Sequence, residues 1–375
     1  MIRLKSRAVR VLASALLTVF VIILLAAFWP FNPFPANNVS WLKSRNGLAF
    51  GRNPIVVSQS PLDFTGSNWS SFSLEIWLQP TGTWKASTFF SIYTPENPKQ
   101  FLLMYYKDLF MVTRSARTEQ GNWETQTIGV DKAVFSDNPL FVTLTAGPKG
   151  SSIYFNGELA RDFPGYILTG RDLSGQLIFG TSPFWQQTWH GEWRGLAIYG
   201  AELSPADVLA HYQKWKEGRQ TELTRELVPT TLYDFHEGTG DTIHDLLGKA
   251  PDLHIPRHYS VPHKPVLRWP WNEFRPNRSY VGDIALNIAG FVPFGFLLSA
   301  FLWAATRNRR PVLTSILMGA LFSLSIEFLQ AFLPQRTSGM TDIITNTLGT
   351  AVGAMVYRQQ KVKTVMARLG LARQE

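Results

Sequence analysis

The side chains best able to do chemistry in this 375-residue sequence sit inside its apolar C-terminal stretches. Asp283 and Asn287 are four residues apart, Glu327 and Gln330 three, and Asp342 and Asn346 four, so each pair shares one face of a helix. Arg336 falls between the last two pairs, beside Thr337 and Ser338. Ionisable groups in a bilayer are costly and face a bundle interior or a cavity. Such a set can form an interhelical network, each hydrogen bond contributing about 0.6–2 kcal/mol, or a polar pocket. In a pocket, Glu327 is the candidate acid or base and Arg336 the candidate clamp for an anionic headgroup. No catalytic residue is assigned beyond that candidacy, and the reading leans away from an enzyme.

Helices must position these residues. Ile284–Thr306 is uncharged, Pro311–Pro334 is apolar except for Glu327, and Ile343–Tyr357 is short and rich in small residues. Gly349 and Gly353 form a G-x-x-x-G step that lets helices approach closely. A fourth apolar run, Val11–Trp29, lies in a region with no charge between Arg10 and Lys43 and approaches the ~20 residues a bilayer requires. Its exit, Ala26-Ala27-Phe28-Trp29-Pro30, is a poor cleavage site, so it reads as a retained anchor rather than a signal peptide. Four spans put Arg3, Lys5, Arg7 and Arg10, the loop with Arg307, Arg309 and Arg310, and the tail with Arg358, Lys361, Lys363, Arg368 and Arg373 on one side. With Glu375 these segments carry +11 of a net +9, leaving −2 for everything else. The positive-inside rule makes that side the cytoplasm, with both termini there. The basic balance therefore reports topology and gives no support to nucleic-acid binding. Paired outward ends place the three polar pairs about 10 Å inside the outer surface.

The region between the first two spans reads as short strands. In Ser71–Gln79, Phe72, Leu74, Ile76 and Leu78 share one face while Ser73, Glu75 and Gln79 share the other. Asn156-Gly157 marks a type I′ hairpin. Further strands are expected at Gln100–Tyr106, Leu140–Ala146, Gln176–Gly180 and Glu192–Tyr199. Ser204-Pro205-Ala206-Asp207 starts one helix that should run to about Glu217. Strands at this spacing predict an antiparallel β-sandwich of jelly-roll type. The absence of cysteine excludes disulfides and thiolate metal sites, and a domain this large has core enough without them.

Candidate ligand contacts in this region are few. Eleven of the 13 tryptophans lie between Pro30 and Tyr280, and Trp185 with Trp189 form the candidate glycan platform. Asp234, Glu237, Asp241 and Asp245 are weak Ca²⁺ candidates without an EF-hand pattern; no other cofactor is expected. His254, His258 and His263 read as solvated linker histidines, at a spacing that would bind Zn²⁺ only if the linker folded around it. Trp269, Trp271, Phe274 and Tyr280 read as an interfacial aromatic belt before the second span.

Two resemblances follow from these residues. NGLAF (46–50), SFSLEIWLQP (71–80), YFNGE (154–158) and GEWRGLAIYGAELSPADVLAHY (191–212) resemble LamG-like, concanavalin A-like jelly rolls. Concanavalin A-like folds include hydrolases with paired carboxylates at E-x-D-x-E spacing, and no E-x-D-x-E occurs here. TLYDFHEGTGDTIHD (231–245) resembles a strand and loop of such modules, either a final strand or a module remnant. NIAGFVPFGFLL (287–298) and SIEFLQAFLPQRTSGMTDIITNTLGTAVG (325–353) resemble the VanZ-like membrane family. Asn287, Pro293, Phe294, Gly295, Glu327, Gln330, Arg336, Asp342, Asn346 and Gly349 each occupy a position of that family's pattern. The resemblance implies an integral membrane protein, a family named for low-level glycopeptide-antibiotic resistance, and no established reaction.

The expected fold class is multidomain α plus β: a four-helix transmembrane bundle with an extracytoplasmic jelly roll inserted between helices 1 and 2. The expected domains are 1–30 (flank and first helix), 36–255 (jelly roll, core 40–218, extra strand segment 228–255), 256–280 (Pro/aromatic linker), 281–357 (VanZ-like bundle, helices at about 283–306, 311–334 and 340–357) and 358–375 (basic tail). The expected partners are the lipid bilayer and an envelope glycan or lipid-linked saccharide, bound outside the membrane and presented to the polar pocket. An enzyme acting on a lipid-linked substrate at Glu327, Arg336 and Asp342 is the alternative.

Overall fold

The computed structural model describes residues 2–66, 69–81, 86–118, 120–131, 138–184, 188–224, 228–274, 278–306 and 310–371. The chain divides into two compact units, Phe34–Lys264 and a second made of Met1–Pro33 with Pro265–Glu375.

The first unit is a sandwich of two antiparallel sheets. One runs β1 (Val39–Trp41), β2 (Leu48–Phe50), β13 (Gly191–Tyr199), β4 (Phe72–Pro80), β9 (Leu140–Gly147), β10 (Gly150–Phe155) and β11 (Glu158–Pro164), with β14 (Thr231–Tyr233) also on β13. The other runs β15 (Thr242–Ile243), β16 (Leu253–His254), β3 (Val56–Ser58), β12 (Gln176–Phe179), β5 (Ser87–Tyr93), β6 (Phe101–Tyr106), β7 (Leu109–Arg117) and β8 (Trp123–Val130). The segment 231–245, open in sequence, supplies strands to both sheets: Leu196 faces Tyr233, and Ile243 faces Leu253. It completes this unit rather than beginning another.

Alternation builds the core. Phe72, Leu74, Ile76 and Leu78 point between the sheets, where Trp193, Phe90 and Phe179 also lie. Trp193 and Phe179 meet edge to face at 4.8 Å, a favoured ring geometry. Asn156 and Gly157 both take positive φ, 52° and 86°, closing the β10–β11 hairpin as a type I′ turn requires.

The other face of β4 is also covered. Helix α2 (Pro205–Lys216) starts with a capping box in which Ser204 and Asp207 exchange hydrogen bonds, satisfying two N-terminal N–H groups. Val208 and Trp215 of α2 pack with Phe141, Tyr199 and Leu232 in a second cluster. Glu75 thus lies under a helix with no exposed surface.

The second unit is helical. It comprises α1 (Ile2–Phe28), the short α3 (Pro270–Glu273), α4 (Arg278–Ala305), α5 (Pro311–Gln330), α6 (Met340–Arg358) and α7 (Gln360–Arg368). Among the described residues three helices are long and apolar enough to cross a membrane: Arg7–Phe28 of α1, α4 and α5. α6, expected as a fourth span, forms a 19-residue helix outside that set. Its threonines, glycines and Asp342 dilute its apolar character. Small residues give it close contacts instead. A Cβ at Gly349 would overlap the Ile288 carbonyl oxygen, and one at Gly353 that of Val292, so α6 lies against the α4 backbone as the G-x-x-x-G step predicts. Phe20 of α1 stacks on Phe322 of α5 at 4.6 Å, joining α1 to the same packing.

Candidate functional site

Six of the seven polar residues picked out in the membrane segments line one cavity of about 490 Å³: Asn287, Glu327, Gln330, Arg336, Asp342 and Asn346. Ile23, Ala26 and Ala27 of α1, with Phe291 of α4, give it apolar walls. Asp283, the seventh, is exposed and does not line it.

The N-terminus of α6 organises the floor. Its first N–H groups lack intrahelical partners and carry the positive end of the helix dipole, so carboxylates gather there. Glu327, 2% exposed, accepts from the Gly339 N–H at 2.8 Å. Glu273 of α3 accepts from the Thr341 N–H at 3.0 Å. Arg268 exchanges backbone hydrogen bonds with Ser338 and Met340, strapping the segment before α4 over this end of α6. Glu273 and this strap were missed in sequence, where the segment read only as an aromatic belt. An acid within an aromatic run gives no sign that it caps a helix some 70 residues later. Trp269 and Trp271 of the belt are exposed and stacked at 4.9 Å.

The far end of α1 supplies a second anchor. Gln330 donates to the Ala27 carbonyl at 2.7 Å and Arg336 to the Ala26 carbonyl at 2.8 Å. These are carbonyls a helix leaves unpaired at its C-terminus, where a cation is favoured. Asn287 donates to Asp342 at 2.7 Å, linking α4 to α6. Asn346 donates its amide N–H to Ser323 of α5 at 3.0 Å. Its carbonyl oxygen has no hydrogen-bond partner, although the residue is only 5% exposed. A buried acceptor without a donor costs about 1–3 kcal/mol, so this oxygen is the one atom of the set that a bound donor would most improve.

The sandwich holds its own polar group, which sequence did not single out. Glu75 Oε1 lies 2.7 Å from His211 Nδ1, while Tyr199 and the Trp215 indole donate to Oε2 at 3.0 and 3.1 Å. Every partner is buried.

The expected sugar and metal contacts fare differently. Trp185 lies outside the described residues. Trp189 is 2% exposed and packs on Phe50 and Trp193, so it belongs to the core and cannot be a platform. A Gly- and Gln-containing loop predicts exposure, but the ring turns inward beside Gly191, where a Cβ would collide with it. Among the exposed rings of this unit, Trp123 at the start of edge strand β8 is 46% exposed, with the Arg117 guanidinium 5.0 Å from its centroid. Asp234, Glu237, Asp241 and Asp245 do not form a cluster that could hold a metal among the described residues. Asp245 accepts from the backbone N–H groups of Leu232, Lys249 and Ala250, Glu237 from that of His244, and Asp234 pairs with His236 at 2.6 Å. They fix loops. His263 bonds Tyr93 at 3.2 Å and His258 packs on Phe34, so neither is a loose linker residue.

Comparison with known proteins bears on both units. Residues 238–364 match the VanZ/LLP1 family and residues 53–209 match the concanavalin A-like lectin/glucanases superfamily. The chain joins a VanZ-like domain to a concanavalin A-like one. No curated protein matches it. Among solved structures, a putative carbohydrate binding protein from Bacteroides ovatus is similar over 58% of this chain and 61% of its own, at 16% identity and a TM-score of 0.40. The receptor binding domain of botulinum neurotoxin D is similar over 48% of this chain and 47% of its own, at 14% identity and a TM-score of 0.35. A SAP-like pentraxin from Limulus polyphemus is similar over 48% and 79%, at 12% identity and a TM-score of 0.32. The chain spans less than two thirds of the first two of these.

Proposed function

We propose that this VanZ-like protein is an integral component of the cell envelope that binds a hydroxyl- and amide-rich headgroup, of the kind carried by a lipid-linked saccharide, in the cavity on α4, α5 and α6. The unpaired, buried Asn346 carbonyl oxygen lining that cavity carries the reading. Carboxylates and amides from three helices suit hydroxyl and amide partners, and the apolar wall from α1 suits a lipid tail. The charge distribution orients the basic flank, loop and tail to the cytoplasm, with α6 as the fourth span. The concanavalin A-like unit then lies outside and binds an envelope glycan, with Trp123 as the exposed ring that stacks on sugar. A role in glycopeptide sensitivity or envelope polysaccharide metabolism follows.

A second reading is an enzyme acting on the same lipid-linked headgroup, favoured by the near-complete burial of Glu327 at the cavity wall. Glu327 would be its acid or base. The test is co-purification of the full chain with its native envelope lipids and polysaccharides, identified by mass spectrometry, for the wild type and for Asn346→Leu. Retention of a lipid-linked saccharide by the wild type and its loss in the variant supports binding; equal recovery of every lipid from both contradicts it. Conversion of the retained species by the wild type, but not by Glu327→Gln, would select the enzyme.

A further inference from the structure

The opposite ends of the same helices hold a second cavity, of about 500 Å³, with different chemistry. Arg310 precedes α5, Arg358 ends α6 and Lys363 belongs to α7; all three line it, and among the described residues no carboxylate does. The N-terminus of α5, a 20-residue helix, opens here and adds the positive end of its dipole. Trp303 and Tyr357 supply aromatic walls, and the Lys363 ammonium sits 4.4 Å from the Trp303 ring centroid. Ser299, which also lines the cavity, is completely buried and its hydroxyl has no hydrogen-bond partner. In a membrane-spanning helix an orphaned hydroxyl is costly, so its presence at the head of a basic cavity marks a place for an acceptor from outside the chain.

We propose that this cavity binds the phosphate of an anionic phospholipid. The headgroup phosphate lies among Arg310, Arg358 and Lys363, and Ser299 donates to one of the lipid's oxygens. The acyl chains run along the apolar side of α5, where Leu313 and Ile316 line the cavity and Leu313 and Leu317 are exposed. The first cavity mixes acids and amides with one arginine, whereas the charged groups lining this one are, among the described residues, all cations, so the two select different headgroups. A phosphate needs a clustered positive field and donors, which is what is gathered here.

The full chain in a neutral detergent is titrated with short-chain phosphatidylglycerol, short-chain phosphatidylcholine and inorganic phosphate. Bound lipid is counted by native mass spectrometry, and stability is followed by thermal unfolding. The wild type should bind phosphatidylglycerol at least about tenfold more tightly than phosphatidylcholine, and Arg310→Gln with Arg358→Gln should weaken that binding by about tenfold to thirtyfold. Lys361→Gln with Arg368→Gln removes the same charge from residues that do not line the cavity and should change binding by no more than about twofold. Gel-filtration profiles and helical content matching the wild type verify that each variant is folded; a misfolded pair is replaced by Lys363→Gln and Ser299→Ala, each expected to lose binding about threefold. Equal affinity for both lipids would overturn the proposal, as would equal losses from the lining and control pairs. Displacement of the lipid by inorganic phosphate at comparable concentration would overturn the lipid assignment in favour of a soluble phosphate.

Discussion

Two buried polar sets in this chain look alike by residue type and differ in what they leave open. Under α2 in the concanavalin A-like unit, Glu75 meets a histidine, a tyrosine and a tryptophan, and its carboxylate oxygens are consumed. At the N-terminus of α6 in the VanZ-like unit, Glu327, Asp342, Asn287 and Asn346 are anchored on one side only and border a cavity, with one buried acceptor unmatched. Burial and charge therefore do not distinguish a site from a fastener. What the second set adds is an unmatched acceptor in a residue that lines a cavity. The first set holds a helix on a sheet, and the second holds a space.

The contrast can be broken in several ways. The largest effect is expected at the closed set. Glu75→Ala strands three buried partners and should cost about 3–5 kcal/mol in urea unfolding of the full chain followed by tryptophan fluorescence, with Glu75→Gln costing less. A loss below about 1 kcal/mol would mean that the network contributes little. At the open set the sign of the comparison reverses: Asn346→Leu surrenders one hydrogen bond to Ser323 and should change detergent-solubilised stability by no more than about 1 kcal/mol while abolishing ligand retention. A smaller effect is expected at Trp123. Trp123→Ala should leave stability within about 0.5 kcal/mol and weaken glycan binding about threefold to tenfold in a polysaccharide pull-down. Unchanged binding would remove Trp123 from the sugar site.

The smallest effect is pH-dependent. The Asp234 carboxylate, hydrogen-bonded to the His236 imidazole, holds it above its ordinary 6.5. Since the folded value is the raised one, the stabilisation from this pair is complete below pH 6.5 and fades as pH rises through the folded value. His236 is half exposed, so the effect should be slight. Nuclear magnetic resonance titration of the His236 ring should give a midpoint above 6.5, and a midpoint at or below it would contradict the pairing.

Much of the architecture was legible because period and punctuation carry it. Alternation at Phe72–Leu78, the Asn156-Gly157 turn and the Ser204–Asp207 cap are local signals, and each is realised where it stands in the chain. The gathering of Asn287, Glu327, Asp342 and Asn346 was legible from helical spacing and the family pattern. Features decided by distant partners were not. Glu75 read as one polar residue on a strand face, because α2, which buries it, follows more than 120 residues later. Trp189 read as exposed because its loop is polar, whereas its ring fills the space left beside Gly191. α6 reads as a span although it is short and rich in small residues, and its threonines and Asp342 leave it outside the three helices that are long and apolar enough to cross a membrane by composition.

The central claim is that the cavity at the N-terminus of α6 is used and does more than hold helices together. Its most direct test is Glu327→Gln in cells lacking the wild-type gene, scored at once for membrane abundance by immunoblot and for envelope lipid composition and glycopeptide sensitivity. The substitution preserves shape and an acceptor for the Gly339 N–H but removes the charge. The account predicts unchanged abundance with the phenotype of the gene deletion. Abundance and phenotype falling together, or neither changing, would contradict it.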